Sequence, residues 1–443
     1  MDTCQPLRIS DNGRYLVHQD GSPFFYLGDT AWELFHRLDR QEADLYLRNR
    51  ASKGFSVIQA VVLAEEDGLR LPNAYGEVPL LSRDPAQPNE AYFRHVDWIV
   101  ERAAALGLWI GMLPTWGKYV TDVWGERQVV FDERNARAYG RFLGERYRQA
   151  PIIWILGGDR PPHGVEAVYT AMAEGIREGD GGRGLMTYHI SGGLSSGMLL
   201  HDAPWLDFNM LQSGHARRCN ENYHFVQQDY RRSPPKPCLD GEPCYEDHPI
   251  EWSPGNGWFN DSDCRQAAYW ALFAGAHGHT YGCHDIWQFW QPGRAPVSHA
   301  RTPWREALDL PGSYQMRWAR NLLLSRPYLT RIPDQSLFLS QNGGGWDHVQ
   351  ATRDGAPEAN DASYLMVYLP TLRRGIEIDT QKLAATRLRS WWYDPRQGTA
   401  LLIEERQNVG RYRLQMPDSG PDWVLVVDDA DAGYPPPGQG VWR

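Results

Sequence analysis

No apolar run of about 18 residues, the length a helix needs to cross a bilayer, occurs in the chain. Basic residues are in deficit: 45 Lys and Arg stand against 55 Asp and Glu, a net charge of −10. With no basic stripe, a nucleic-acid partner is not expected. Cysteine is scarce, and five of the six fall between Cys219 and Cys283 at spacings unlike paired CxxC zinc ligands. Free buried thiols are the main expectation for Cys219, Cys238, Cys244, Cys264 and Cys283; a disulfide among the first four is the rival. No Gly-x-Gly-x-x-Gly follows a first strand and no Walker loop is present, so a nucleotide cofactor is not expected. The start, Met1-Asp-Thr-Cys-Gln-Pro6, lacks the basic-then-apolar order of a secretory leader. The expectation is a cytoplasmic protein, or a periplasmic or secreted one whose leader was cleaved. No solenoid-type repeat is visible, and a homo-oligomer is left open.

What the chain has in plenty is aromatic residues, 19 Trp and 22 Tyr. They suit large cores, and equally the stacking of an aromatic face on the C–H face of a sugar. Its 443 residues fit a barrel of roughly 250 residues or more plus a smaller domain.

The most informative stretch is Pro151–Pro162, Pro-Ile-Ile-Trp-Ile-Leu-Gly-Gly-Asp-Arg-Pro-Pro. Ile152 to Leu156 run without polar alternation, as in a strand buried on both faces of a parallel sheet, and Asp159 follows two glycines. Pro237–Glu242 repeats the grammar, a short apolar strand, a glycine and then Glu242. Strands are expected around Phe25, Val57, Ile110, Ile153, Thr187, Phe208, Cys238 and Thr280, mostly separated by helical segments such as 41–53, 92–106, 135–149, 165–178, 223–230 and 263–274. Eight such alternations predict a parallel sheet closed into a (β/α)8 TIM barrel. Residues 7–20, with Asp-Asn-Gly as a turn, predict a hairpin that could close its bottom. Past Leu324, short alternating runs (363–369, 388–393, 422–427) separated by turn signals predict a small C-terminal antiparallel β-sandwich. The expected division is 1–325 and 326–443.

Catalytic groups of such barrels sit at the C-terminal ends of strands. Asp29, Gln59, Trp116, Asp159, His189, Gln212, His215, Glu242, His284 and Trp287 all fall there. Together they suggest a grip on a polyhydroxylated ligand; for any one of them the alternative is a capping or loop-bracing role. Glycosidic cleavage needs one carboxylic acid to protonate the leaving oxygen and a second carboxylate opposite. Asp159 suits the acid/base if Trp154 and neighbouring aromatics desolvate it and Arg160 points elsewhere. Glu242 suits the nucleophile, with Glu246 as its competitor; structural salt-bridging is the bland reading of Glu246 and Asp247. The cluster His277, His279, His284 and Asp285 only loosely suggests a metal, and none is expected.

These residues carry a resemblance. Gly28-Asp29-Thr-Ala-Trp32, Trp154-Ile-Leu-Gly-Gly-Asp159, Met210-Leu-Gln-Ser-Gly-His215, Asp240-Gly-Glu242-Pro-Cys-Tyr245-Glu246 and Gly278-His-Thr-Tyr-Gly-Cys-His284-Asp-Ile-Trp287 resemble the apiosidase-like barrels of glycoside hydrolase family 140 and their bacterial relatives, over roughly residues 5–325. The resemblance implies Asp159 as acid/base, Glu242 as nucleophile, and no cofactor. Trp32, Tyr245 and Glu246 join the candidate sugar-binding residues. It also implies a C-terminal β-sandwich of a type labelled collagen-binding, a domain that commonly just packs on the barrel. The function expected is a retaining hydrolase of a plant or microbial polysaccharide or oligosaccharide, apiose release from pectic side chains being one activity of the group. The rival readings are an inactive carbohydrate-binding barrel, which an intact Asp159/Glu242 pair disfavours, and a metal-dependent hydrolase, which a chelator would expose.

Overall fold

The computed structural model describes residues 5–123 and 125–440. The expectations for Met1–Cys4, the leader question included, lie outside them. The eight strands of the central sheet are β1 (Tyr26–Thr30), β2 (Val57–Val61), β3 (Trp109–Leu113), β4 (Ile152–Gly157), β5 (Met186–His189), β6 (Asn209–Gln212), β7 (Cys238–Asp240) and β8 (Gly278–Tyr281). Each is fully buried but for half-buried Trp109, which is why the sequence shows continuous apolar runs instead of alternation. Parallel ladders join β5-β4-β3-β2-β1-β8-β7-β6.

The seam between β5 and β6 closes without a ladder. Asp207 N–H donates to Met186 O at 2.8 Å, Met186 N–H donates to the Asp207 carboxylate at 2.8 Å, and Thr187 Oγ1 donates to Phe208 O at 2.6 Å. The strand expected around Phe208 is thereby shifted forward: Asp207 spends its side chain on the seam, and β6 begins only at Asn209. A two-residue strand, Leu194–Ser195, pairs antiparallel with the end of β6.

Outside the sheet lie α1 (Arg40–Ser52), α2 (Glu90–Ala105), α3 (Glu133–Tyr147), α4 (Glu166–Asp180), α5 (Ser196–Leu200), α6 (Tyr223–Tyr230), α7 (Asp261–Phe273) and α8 (Pro311–Leu324). Asp39, Asp132 and Asn260 start α1, α3 and α7 with reciprocal capping boxes. The sequence reading had no helix at α8. The strands Arg8–Ile9, Leu16–Val17 and Pro23–Phe24 form a small antiparallel sheet whose Leu7 and Tyr15 join the barrel core.

The C-terminal sandwich contains β9 (Ile332–Pro333), β10 (Gln350–Arg353), β11 (Tyr364–Leu369), β12 (Ile376–Asp379), β13 (Arg387–Asp394), β14 (Thr399–Gln407), β15 (Arg411–Leu414) and β16 (Trp423–Asp429). One antiparallel sheet has the order β9-β10-β11-β16-β13-β14, and β12 with β15 forms a second. On β11, Leu365, Val367 and Leu369 enter the core between the two sheets, whereas Tyr364, Met366 and Tyr368 enter the barrel's core. β11 is therefore buried on both faces, and period-two geometry divides this one strand between two cores. Bidentate pairs fasten the contact: Arg265 of α7 to Asp422 at 2.7 and 2.8 Å, and Arg326 to Asp428 at 2.8 and 2.7 Å.

Candidate active site

A cavity of about 580 Å³ opens at the C-terminal ends of the barrel strands, within the roughly 300–1,000 Å³ of small-molecule sites. Asp159 and Glu242 both line it, with Trp32, Trp116, Gln212, His215, Tyr245, His284 and Trp287.

Asp159 is delivered by an unusual turn. Gly157, Gly158 and Asp159 all have positive φ, at 89°, 112° and 56°. A side chain at Gly157 would collide with the backbone oxygen of His189, and one at Gly158 would come within 2.9 Å of Trp116. Only glycine permits this close approach of β4 to its neighbours. Glu242 follows Gly241, where a side chain would strike Met210.

Two histidines meet the Glu242 carboxylate. His215 Nε2 lies 3.1 Å from Oε1 and forms a hydrogen bond. His189 Nε2 stands 2.9 Å from Oε2, at ion-pair distance but off the line of a hydrogen bond. On the far side of each ring, Nδ1 accepts a backbone N–H, from Asp159 at 3.2 Å for His189 and from Tyr245 at 3.4 Å for His215. That leaves the Nε2 proton of each ring facing Glu242. His189 is itself flanked by Trp32 and Trp116, at centroid distances of 5.2 and 5.8 Å. The hydroxyl of Tyr245 lies close enough to Glu242 to feel its charge.

The two carboxyls are driven in opposite directions. Burial pushes Asp159 up, the Glu242 charge adds to that, and His189, Arg160 and Gln212 oppose it, for a result of about 6. Burial would also raise Glu242, but the close approach of the His189 and His215 Nε2 groups overturns that and brings it down to about 2. Two expectations are corrected here. Arg160 does not point elsewhere: it donates to Asp159 O at 2.9 Å and stands 3.4 Å from the carboxylate, while also pairing with Glu126. Trp154 does not desolvate Asp159, because its indole donates to Asp180 at 3.1 Å near the bottom of the barrel; Trp32 and Trp116 line the cavity instead.

Four residues expected to bind sugar, Asp29, Gln59, Glu246 and His189, do not line the cavity. Asp29 is fully buried behind the barrel wall, bonded to Arg50 of α1 at 2.6 Å and to the Tyr46 hydroxyl. Gln59 lies inside the barrel, donating to Gly241 O at 3.0 Å and accepting from Tyr26 at 3.1 Å. Glu246 turns away from the cavity to accept from Tyr281 at 2.5 Å and from Gly312 N–H at 3.0 Å. Its neighbour Asp247 pairs with Arg301. His189 touches Glu242 from beneath without lining the cavity, and His284 spends Nε2 on Val297 O and Ser298 O while its Nδ1 accepts from Trp287 at 3.2 Å.

Five further residues line the cavity: Glu65 and Glu66, on the acidic loop after β2 whose composition already suits an active-site rim, and Arg217, His248 and Trp252, which are not among the candidates named from the sequence. The adjacent Glu65-Glu66 pair just past a strand was a usable signal; His248 and Trp252 had none. Burial, with the Asp159 and Glu66 charges, pushes Glu65 well above the usual carboxylate range. Among the described residues, no three His, Cys, Asp or Glu side chains are placed to hold a metal, and His277 and His279 are buried in the barrel away from the cavity. Cys219, Cys238, Cys244, Cys264 and Cys283 are all free thiols.

The family model for an apiosidase-like catalytic domain matches residues 10–330, and one for a collagen-binding-type domain of a collagenase matches 332–428. No curated protein matches the chain. A solved structure titled glycoside hydrolase is 38% identical over 96% of this chain and 97% of its own, with a TM-score of 0.88. A glycoside hydrolase family 5 crystal structure from Bacteroides vulgatus ATCC 8482 is 36% identical over 99% of this chain and 96% of its own, with a TM-score of 0.89. A model match across the whole barrel and two such relatives agree with the site at the mouth of that barrel: the chain belongs to the apiosidase-like family and is a glycoside hydrolase.

Proposed function

We propose that this glycoside hydrolase works with retention of configuration, using Glu242 as nucleophile and Asp159 as acid/base, on plant or microbial oligosaccharides or polysaccharides. Pectic side chains ending in apiose are the candidate that the family name suggests. The observation that carries the reading is the placing of both carboxyls on one cavity at the mouth of the barrel, with the Nε2 atoms of His215 and His189 only 3.1 and 2.9 Å from Glu242, which favours its ionised form, while burial and the Glu242 charge push Asp159 up. In the first step a Glu242 oxygen bonds to the anomeric carbon as the glycosidic C–O bond breaks, and Asp159 gives its proton to the departing oxygen. In the second, Asp159 takes a proton from water, whose oxygen bonds to the anomeric carbon and releases Glu242. Two carboxyls suffice, so dialysis against a chelator is expected to leave turnover intact.

The test is the pair of variants Asp159→Asn and Glu242→Gln. Each is expected to lose a factor of about 10² to 10⁴ in kcat on an unactivated glycoside. Azide should restore turnover to the Glu242 variant by a truncation such as Glu242→Gly, giving a glycosyl azide of inverted configuration. Near-native rates in Glu242→Gln combined with loss in Glu246→Gln would show the nucleophile to be misassigned.

A further inference from the structure

Of the cavity-lining tryptophans, Trp252 is unlike the rest. Trp32, Trp116 and Trp287 are buried, whereas Trp252 is 51% exposed. It sits on a lip after β7, where Pro249 bridges to Trp258 and residues 251–256 are all exposed. Buried Ile250 and Phe259 anchor the lip. Nothing in packing requires an indole at its tip.

The backbone nevertheless spends strain to put one there. Glu251 and Trp252 adopt left-handed φ of 54° and 57° in succession, a conformation that non-glycine residues avoid. Local bonds hold it: Glu251 N–H donates to His215 O at 3.1 Å, Trp252 N–H to Pro249 O at 3.0 Å, and Asn256 to the Glu251 carboxylate at 2.9 Å. Strain of this kind marks functional positions. The indole stands perpendicular to His215 and His248, at centroid distances of 6.3 and 6.0 Å. His215 is the ring bonded to Glu242, so the indole lies one imidazole away from the carboxylate. About half its surface still faces the opening.

We propose that Trp252 is the platform of a second sugar subsite, stacking on the C–H face of the ring adjacent to the one that Glu242 attacks. An indole presents a broad, electron-rich, weakly hydrated face, and the ring hydrogens of a sugar complement it without demanding fixed hydrogen bonds. The subsite therefore prefers a ring with a continuous C–H face over a charged group. This inference rests on the carbohydrate-cleaving reading of the cavity.

The test measures binding apart from turnover. Pectic oligosaccharides of graded length are titrated by calorimetry into Glu242→Gln and into Glu242→Gln carrying Trp252→Ala or Trp252→Phe, and KM and kcat are measured in the Glu242 background on the same oligosaccharides and on an aryl monoglycoside. Trp252→Ala is expected to weaken oligosaccharide binding about tenfold and to raise KM by a similar factor with a smaller effect on kcat. Trp252→Phe should recover much of it, and the aryl monoglycoside should lose less than the oligosaccharides. Unchanged oligosaccharide affinity in Trp252→Ala, or equal losses on the monoglycoside and the oligosaccharides, overturns the subsite. Failure of the unsubstituted protein to hydrolyse any of these compounds would instead overturn pectic glycosides as its substrates, and the calorimetry would still decide the subsite.

Discussion

The proposed roles of attacking and proton-donating carboxyl ask for different surroundings, and at the residue scale those of Glu242 and Asp159 differ. Glu242 receives two imidazole Nε2 groups; Asp159 receives burial and the charge of Glu242. The sign of the pH dependence follows. Glu242 is ionised from about pH 2 upward, whereas Asp159 is protonated only below about pH 6. With kcat/KM measured on the free enzyme, the profile should be flat under mildly acidic conditions and fall about tenfold per pH unit above the higher value. In Asp159→Asn, assayed with a dinitrophenyl leaving group that needs no proton, the alkaline fall should vanish; its persistence would assign it to another group, with Glu65 the first to examine.

Position along a strand was legible in the sequence, but the direction of a side chain was not. Asp29 lies near the end of β1, but Gln59 is at the middle of β2 and Glu246 lies beyond the end of β7; one faces a helix, one the barrel interior and one α8. A shift of one residue reverses the face, and no local pattern in a doubly buried strand records it.

At the scale of elements, the turn after β4 matters most. Gly157 combines φ of 89° with backbone crowding, so alanine there must displace β4, His189 or both. Since His189 contacts Glu242 and its ring accepts from Asp159 N–H, both carboxyls should shift. Gly157→Ala is expected to lower kcat/KM about 10²-fold. Gly164→Ala is the control: it has φ of 77° with nothing within 4 Å, and should cost about 1 kcal/mol of stability with little loss of rate. The eight strands were legible because continuous apolar runs bounded by glycine and proline are a strong local signal. The β5–β6 seam was not, since it depends on Asp207 reaching a strand more than twenty residues away in the chain.

For the whole molecule, the sandwich is part of the barrel's support. Arg265 and Asp422 are both almost wholly buried and 157 residues apart, a pairing that no local pattern in the sequence announces. Asp422→Ala removes both bonds of that pair and leaves the buried Arg265 guanidinium to Asp261 and Gln315, and should destabilise the protein by about 2–3 kcal/mol, read as a lowered melting temperature. Replacing Arg265 by Met and Asp422 by Leu together should cost much less. A melting temperature unmoved by Asp422→Ala would mean that the two parts do not stabilise one another through this pair. The loop at 345–348 extends the contact toward the site: Gly345 N–H donates to Glu221 at 3.3 Å and His348 stacks on Tyr223 at 3.7 Å, beside the loop that carries His215.

The central claim, a covalent two-step reaction on Glu242, is tested most directly by the configuration of the first-formed sugar. Proton NMR of a reaction started with an aryl glycoside of known anomeric configuration resolves that product before mutarotation blurs it. Retention requires the initial anomer to match the substrate. Accumulation of the opposite anomer first would mean a single displacement by water, and would contradict the account of Glu242 as nucleophile.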